Sequence, residues 1–269
     1  MKIGKETIPK SKISASDHDT IIVHGQNLCD ELIGCMSFTE YFYFLLTGEK
    51  PNSSQVKIID ACLVSIAEHG LVPSVQAARM TFSAAPEAIQ GAVAAGLLGC
   101  GSVILGAAEY AGKFFFEIKE LMDNENVDAN TAAKKMIVEY RKYKRAIPGY
   151  GHPLHKQRDP RSEKLFQISK SVNTNNIFIE IANTVENELE KALGKSLPLN
   201  ISGAIPAVLL DNGFPVKALK GIPLLGRTAG LIGHLLEEQE RPIGFALSYQ
   251  ASKASEYDGK KPDEFEPEF

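Results

Sequence analysis

The chain is short of the features that mark several large protein classes. It has four cysteines, Cys29, Cys35, Cys62 and Cys100, and none lies in a CxxC pair or beside histidines at ligand spacing. Neither a zinc site nor a disulfide framework is expected, and a reducing cytoplasm suits such a chain. The opening residues, MKIGKETIPKSK, lack the apolar run of a secretory signal, so no export is expected. There is no P-loop and no dinucleotide-binding glycine fingerprint, so the chain is not expected to activate a substrate with ATP itself. No internal repeat occurs. Excess positive charge is lacking too: a net charge of −4 argues against general affinity for nucleic acid or an anionic membrane, and any anionic partner must be met locally.

Long apolar runs are nearly absent. The one exception, Gly91 to Ala108, holds eighteen residues without formal charge, the length of a membrane span. Five of them are glycine and five alanine, and Glu87 and Glu109 bracket the run, so the apolar surface is too small for insertion. Small residues let helix backbones approach closely, and the segment reads as one or two helices in a tight helical interface, a candidate contact between subunits.

What is present is helical. With 44% hydrophobic and 23% charged residues, 269 residues can bury a full core. Strand signals are few, and Asp19 to His24, DTIIVH, is the best of them. The segment Phe38 to Thr47 reads as a helix stopped by Gly48 with Pro51 beyond, and Ser53 to His69 as the next. Thr131 to Arg145 continues as a basic helix ended by Pro148-Gly149. Loops are expected at 123–130, 173–176 and 213–215, and a charged tail from Lys253. The basic stretch Lys134 to Arg145 reads as a solvated helix face, and His18, His24 and His155 have no partners at ligand spacing, so no metal is proposed. The fold class is mainly α.

The chemistry concentrates in Ile147 to Arg161, IPGYGHPLHKQRDPR. Glycines on both sides of Tyr150 permit a tight loop whose backbone can approach a ligand, and they lead directly into His152. Lys156, Arg158 and Arg161 supply cations for phosphate or carboxylate.

This stretch resembles the Gly-x-Gly-His loop and Asp-Pro-Arg turn of the citrate synthase superfamily, with the family's spacing from His152 to Arg161. Further similar blocks stand in the same chain order: AEHGLVPS around His69, GLLGCGSVILGAAEYA from Gly96, LPLNISGAIPAVLLDNGFP from Leu197 and GRTAGLIGHLLEE from Gly226. The resemblance implies that His69, Arg161 and Arg227 bind an oxo or hydroxy acid, that His152 moves a proton at the oxygen of the reacting carbon, and that Arg241 reaches into a neighbouring subunit. It places Tyr150, Gly151, Lys156 and Arg158 beside coenzyme A. His234, seven residues beyond Arg227, is expected on the same helix face.

Two departures redirect the expected reaction. Leu105 stands where citrate synthases have the histidine that stabilises the acetyl-CoA enolate, a loss shared with the citrate-synthase-like module of ATP-citrate lyase and related citryl-CoA lyases. Ser202 stands at the position of the family aspartate that moves the methyl proton, and a serine is a poor general base unaided. The resemblance therefore implies a short stand-alone enzyme that cleaves citryl-CoA to acetyl-CoA and oxaloacetate, supplied by a separate citrate–CoA ligase. Condensation or cleavage of another 2-oxo acid and acyl-CoA pair, or a catalytically impaired protein that binds coenzyme A and a carboxylate, are the alternatives. The expected architecture is a large helical domain, residues 1–106 and 214–269, and a small one, 107–213, in a homodimer or larger assembly.

Overall fold

The computed structural model describes residues 9–101, 105–151, 158–172 and 175–265. Two compact units are present, one up to Asp60 and one from Ala61 onward. The first contains a small antiparallel sheet in the order β1 (Ser14–Ser16), β2 (Ile21–Val23) and β3 (Gln26–Asn27). Asp17 closes the first turn by accepting the N–H groups of Asp19 and Thr20. His24 and Gly25, both at positive φ, form the two-residue turn between β2 and β3, the backbone geometry that matches strand twist. Helix α1 (Phe38–Thr47) follows, with Ser37 and Glu40 forming a reciprocal capping box and Gly48 closing the far end in the left-handed conformation. Val23, Leu32 and Phe44 make the core of this unit.

Helix α2 (Ser53–Ala67) leads into the second unit, which holds α3 (Pro73–Ala84), α4 (Ile89–Leu98), α5 (Ala107–Glu125), α6 (Ala129–Lys142), α7 (Pro160–Val172), α8 (Ile177–Leu193), α9 (Ile201–Asp211), α10 (Gly221–Glu240) and α11 (Gly244–Lys253). The uncharged run resolves into α4 and the start of α5, as its glycine and alanine content predicts. Among the described residues no helix is long and apolar enough to cross a membrane. The loop expected over 123–130 is shorter than its composition suggests, because α5 continues to Glu125 before Asn126 turns left-handed and Asp128 caps α6.

Two packing centres organise this unit. Helix α9, ISGAIPAVLLD, is apolar on all sides and is surrounded by α5, α7 and α8. Helix α3 packs against α4, α10 and α11 around Val75, Ala78, Phe82, Leu231 and Leu235. Helix α10 meets the last turn of α2 backbone to backbone, because a Cβ on Gly230 would lie 2.0 Å from the carbonyl oxygen of Ala67. Gly230→Ala is therefore expected to cost about 1–3 kcal/mol through overpacking, read as a lower melting temperature.

Candidate active site

The approach of α10 to α2 brings charged groups together at the C-terminal end of α2. Arg227 lies on the buried side of α10 and is only 3% exposed. Its Nε and Nη1 have no hydrogen-bond partner among the described residues. Burial holds this guanidinium below its ordinary value; the negative charge of Glu68 and the nearby Cys100 oppose that shift, and the Arg161 cation adds to it. Arg227 thus feels the charge of a second arginine and holds donors that are buried and unsatisfied among the described residues. Such groups are costly unless something anionic meets them.

Arg161, in the first turn of α7, is half-buried and oriented by Asp159, which accepts from Nη2 at 2.8 Å and Nε at 3.1 Å. Its Nη1 donates to the carbonyl of Ser65 on α2 at 3.4 Å. Asp159 is itself buried, so the arginine is held by a carboxylate shielded from water. His69 follows α2 directly and is partly buried. His234 places its Nε2 2.7 Å from Glu68 Oε2, while Glu68 Oε1 accepts the N–H of Gly70. The sequence reading put His234 on the face of Arg227 but gave no sign of its pairing with Glu68, 166 positions away.

The glycine loop is held to the start of α9 by a short antiparallel pairing. Asn200 N–H donates to Gly149 at 3.0 Å, Gly151 N–H donates to Pro198 at 2.8 Å, and Tyr150 lies opposite Leu199. Asn200 also donates its side-chain amide to the carbonyl of Gly151 at 2.7 Å and accepts from the N–H of Ser202 at 2.9 Å. Gly149 is required here: its φ is +89°, and a Cβ would lie 2.8 Å from Gly203 Cα. Ser202, half-buried in the first turn of α9, therefore stands next to the residue that fixes Gly151. Pro206 has no N–H, so the carbonyl of Ser202 lacks its usual helical donor.

His152 and Lys156 lie outside the described residues. Tyr150 donates its hydroxyl to the carbonyl of Ala182 at 2.8 Å and sets its ring edge-on to Phe115. Burial and the neighbouring Glu186 carboxylate push its phenol up, with Arg158 opposing. Arg158 donates to Glu163 at 2.7 Å, to Asn183 at 2.6 Å and to Glu186. Burial alone would lower its guanidinium, but Glu163 and Glu186 hold it above the ordinary value. Leu105 is buried just before α5 at φ +64°, an uncommon conformation for a residue with a Cβ. Asp211 lies nine residues, about 14 Å of helix, from Ser202, and accepts the N–H groups of Phe178 and Ile179 at the start of α8. Burial raises its carboxyl to about 6 against those two bonds, and its position makes it a cap for α8, too far along the helix to supply the carboxylate that Ser202 lacks. Arg241, exposed at the C-terminal end of α10, is fourteen residues, about 21 Å of helix, from Arg227.

The fold is helical and buries Arg227 with Nε and Nη1 unsatisfied among the described residues while the Arg161 charge acts on it, a donor set whose chemistry suits an anion. Residues 10–244 match the family model described as citrate synthase, C-terminal domain, and the chain belongs to the citrate synthase family. It is 33% identical to a citryl-CoA lyase from Hydrogenobacter thermophilus, with a TM-score of 0.82 over 97% of this chain and 98% of that one. It is 26% identical to a citrate synthase of Heyndrickxia coagulans over 76% of this chain and 53% of that protein. It is 29% identical to the ATP-citrate synthase beta chain protein 2 of Arabidopsis thaliana over 68% of this chain and 31% of that protein. The chain thus spans about half or less of these two curated relatives.

Proposed function

We propose that the chain cleaves citryl-CoA to acetyl-CoA and oxaloacetate. The observation that carries this reading is Arg227, buried within reach of the Arg161 charge and with two donors unpartnered among the described residues, where a substrate carboxylate would supply the missing acceptors. The extent of similarity to a citryl-CoA lyase over nearly the whole of both chains supports the choice of thioester. Arg161, Arg227 and His69 bind the end that leaves as oxaloacetate. His152 takes the proton of the tertiary hydroxyl, a task suited to a group that titrates near neutrality. As the carbonyl forms, the carbon–carbon bond breaks, its electron pair passes to the thioester as an enolate, and the enolate is protonated to acetyl-CoA. Ser202, next to Asn200 and the glycine loop, faces this second half of the reaction without being a strong acid or base.

Coenzyme A, as part of substrate and product, lies along Tyr150, Gly151, Lys156 and Arg158. Because the Tyr150 hydroxyl and the Arg158 guanidinium are engaged within the chain, the backbone of the glycine loop makes the closer approach. The large part (residues 1–106 and 214–269) and the small part (107–213) close over the substrate and exclude water. The working unit is a cytoplasmic homodimer or larger assembly. With about 21 Å of α10 separating it from Arg227, Arg241 joins a site only from a second copy. A separate ligase provides citryl-CoA.

A coupled assay of oxaloacetate release from citryl-CoA tests this reading. Wild-type protein releases oxaloacetate, His152→Ala loses about 10²–10⁴-fold in rate, and Ser202→Asp gains if the serine limits proton delivery. Release by none of the three overturns the lyase reading. It would favour a binding role for coenzyme A and a carboxylate, which Ser202 in place of a carboxylate would also explain.

A further inference from the structure

We propose that Glu68 and His234 are a positioning pair that fixes the loop bearing His69 against the helix bearing Arg227, so that both present themselves to the same carboxylate. The inference rests on the reading of His69 and Arg227 as carboxylate ligands. Glu68 is the first residue past α2, and its two carboxylate oxygens have separate tasks: Oε1 accepts the N–H of Gly70, and Oε2 lies 2.7 Å from His234 Nε2. An ionised carboxylate only accepts, so the histidine nitrogen facing it carries the proton and donates. His69 lies between the two residues of the backbone that this one side chain spans, and its main chain is thereby fixed at a tight turn, with Gly70 at φ +72°. The other end of the link is α10, seven residues and two turns beyond Arg227.

The backbone contact between α10 and α2 supports the same conclusion. A Cβ on Gly230, one turn before His234, would meet the Ala67 carbonyl and approach Glu68 Oε2 to 3.6 Å, so glycine there leaves the room in which Glu68 reaches across. The imidazole is otherwise shielded: among the described residues its Nδ1 is buried without a hydrogen bond, and Glu237 Oε2 lies 4.0 Å away. This is the geometry of a group held in place by one bond rather than one exchanging with water.

The proposal predicts a sign opposite to simple electrostatics. Glu68 is an anion beside Arg227, so if its effect on ligands were only that of its charge, removing it would strengthen the binding of an anion. If it positions His69, removing it weakens binding. Calorimetric titration with citrate and with oxaloacetate should therefore show Glu68→Ala weakened by about tenfold, the scale of one lost charge-assisted hydrogen bond. Glu68→Gln, which keeps an acceptor oxygen for the N–H of Gly70 and turns an amide N–H toward His234, whose imidazole accepts it in the other tautomer, loses the charge but stays closer to wild type than Glu68→Ala. His234→Ala behaves as Glu68→Ala, and His234→Gln, which retains a donor, is rescued in part. Hydrogen exchange at Gly70 rises in both alanine variants. Unchanged or tighter binding by Glu68→Ala, with the wild type binding normally, overturns the pairing alone. A wild type that binds neither ligand overturns the carboxylate reading and the pairing with it.

Discussion

Arg227→Met should make the protein more stable and nearly useless as a carboxylate binder. This guanidinium is 3% exposed with Nε and Nη1 unpartnered among the described residues, and the Arg161 cation depresses it further. A buried charge without full compensation costs several kcal/mol, and replacing such groups with an apolar side chain of similar volume is commonly neutral or stabilising by about 1–4 kcal/mol. For a chain of this size each kcal/mol moves the melting temperature by about 2–4 °C, so a rise of several degrees is expected without ligand. Binding goes the other way. Truncating one partner of a buried, hydrogen-bonded charge pair costs about 2–5 kcal/mol, so KM for citryl-CoA should rise at least about 30-fold. Ligand should also lose its power to raise the melting temperature, since only a state that binds is stabilised. Arg227→Lys, a point charge without the planar fork, should fall between the two. A raised KM without gain in stability would mean that the guanidinium is satisfied in the free protein. A gain in stability with KM unchanged would remove Arg227 from the site.

The opposing signs reflect how the site is built, and they bear on what could be read from the sequence. Local signals carried several helices well: Gly48 closes α1 where the sequence stops it, whereas the Ser37 cap and the apolar α9 became visible only in the structure. The short strand pair was half-visible, because Ile21 to Val23 has β-branched residues whereas Ser14 to Ser16 has none and is recruited only by pairing. Arg227 and Arg161 were legible through resemblance, but the shortage of partners at Arg227 was not, since burial depends on α10 lying against α2. Arg158 shows the converse. Its place after a glycine loop suggested a free cation, and the structure commits it to Glu163, Asn183 and Glu186. No spacing rule finds a partner on α8, because the meeting is made by the packing of α7 and α8 around α9.

The largest effect on stability should come from Glu238→Ala, a residue at the end of the GRTAGLIGHLLEE block to which the sequence assigns no role. Glu238 is 3% exposed near the end of α10 and accepts from Arg79 Nε at 2.5 Å, Ser83 Oγ at 2.6 Å, Gly244 N–H at 2.8 Å and Ile243 N–H at 3.0 Å. One carboxylate therefore ties α3 to α10 and caps α11 at its N-terminus. Arg79, 2% exposed, spends its remaining donors on Glu237 at 2.8 Å and the Arg241 carbonyl at 3.0 Å. Alanine at 238 leaves the buried Arg79 Nε, the Ser83 hydroxyl and two helix-start amides without their acceptor at once, and a loss of about 3–5 kcal/mol is expected, a fall of roughly 10 °C or more in melting temperature. Arg79→Met combined with Glu238→Leu should lose less than Glu238→Ala alone, since no charge is then left unpaired. Burial alone would raise the Glu238 carboxyl, but Ser83, Arg79 and the two amides hold it below the ordinary glutamate value of 4.5. Its folded value being the lower one, the contribution is complete above the unfolded value and is lost as the pH falls from there through the folded value, so the gap between wild type and Glu238→Ala should narrow in acid. Glu238 lies eleven residues, about 17 Å of helix, from Arg227, so below its melting temperature the variant should keep the wild-type KM. A changed KM would mean that the α3–α10–α11 network positions the site as well as holding the fold.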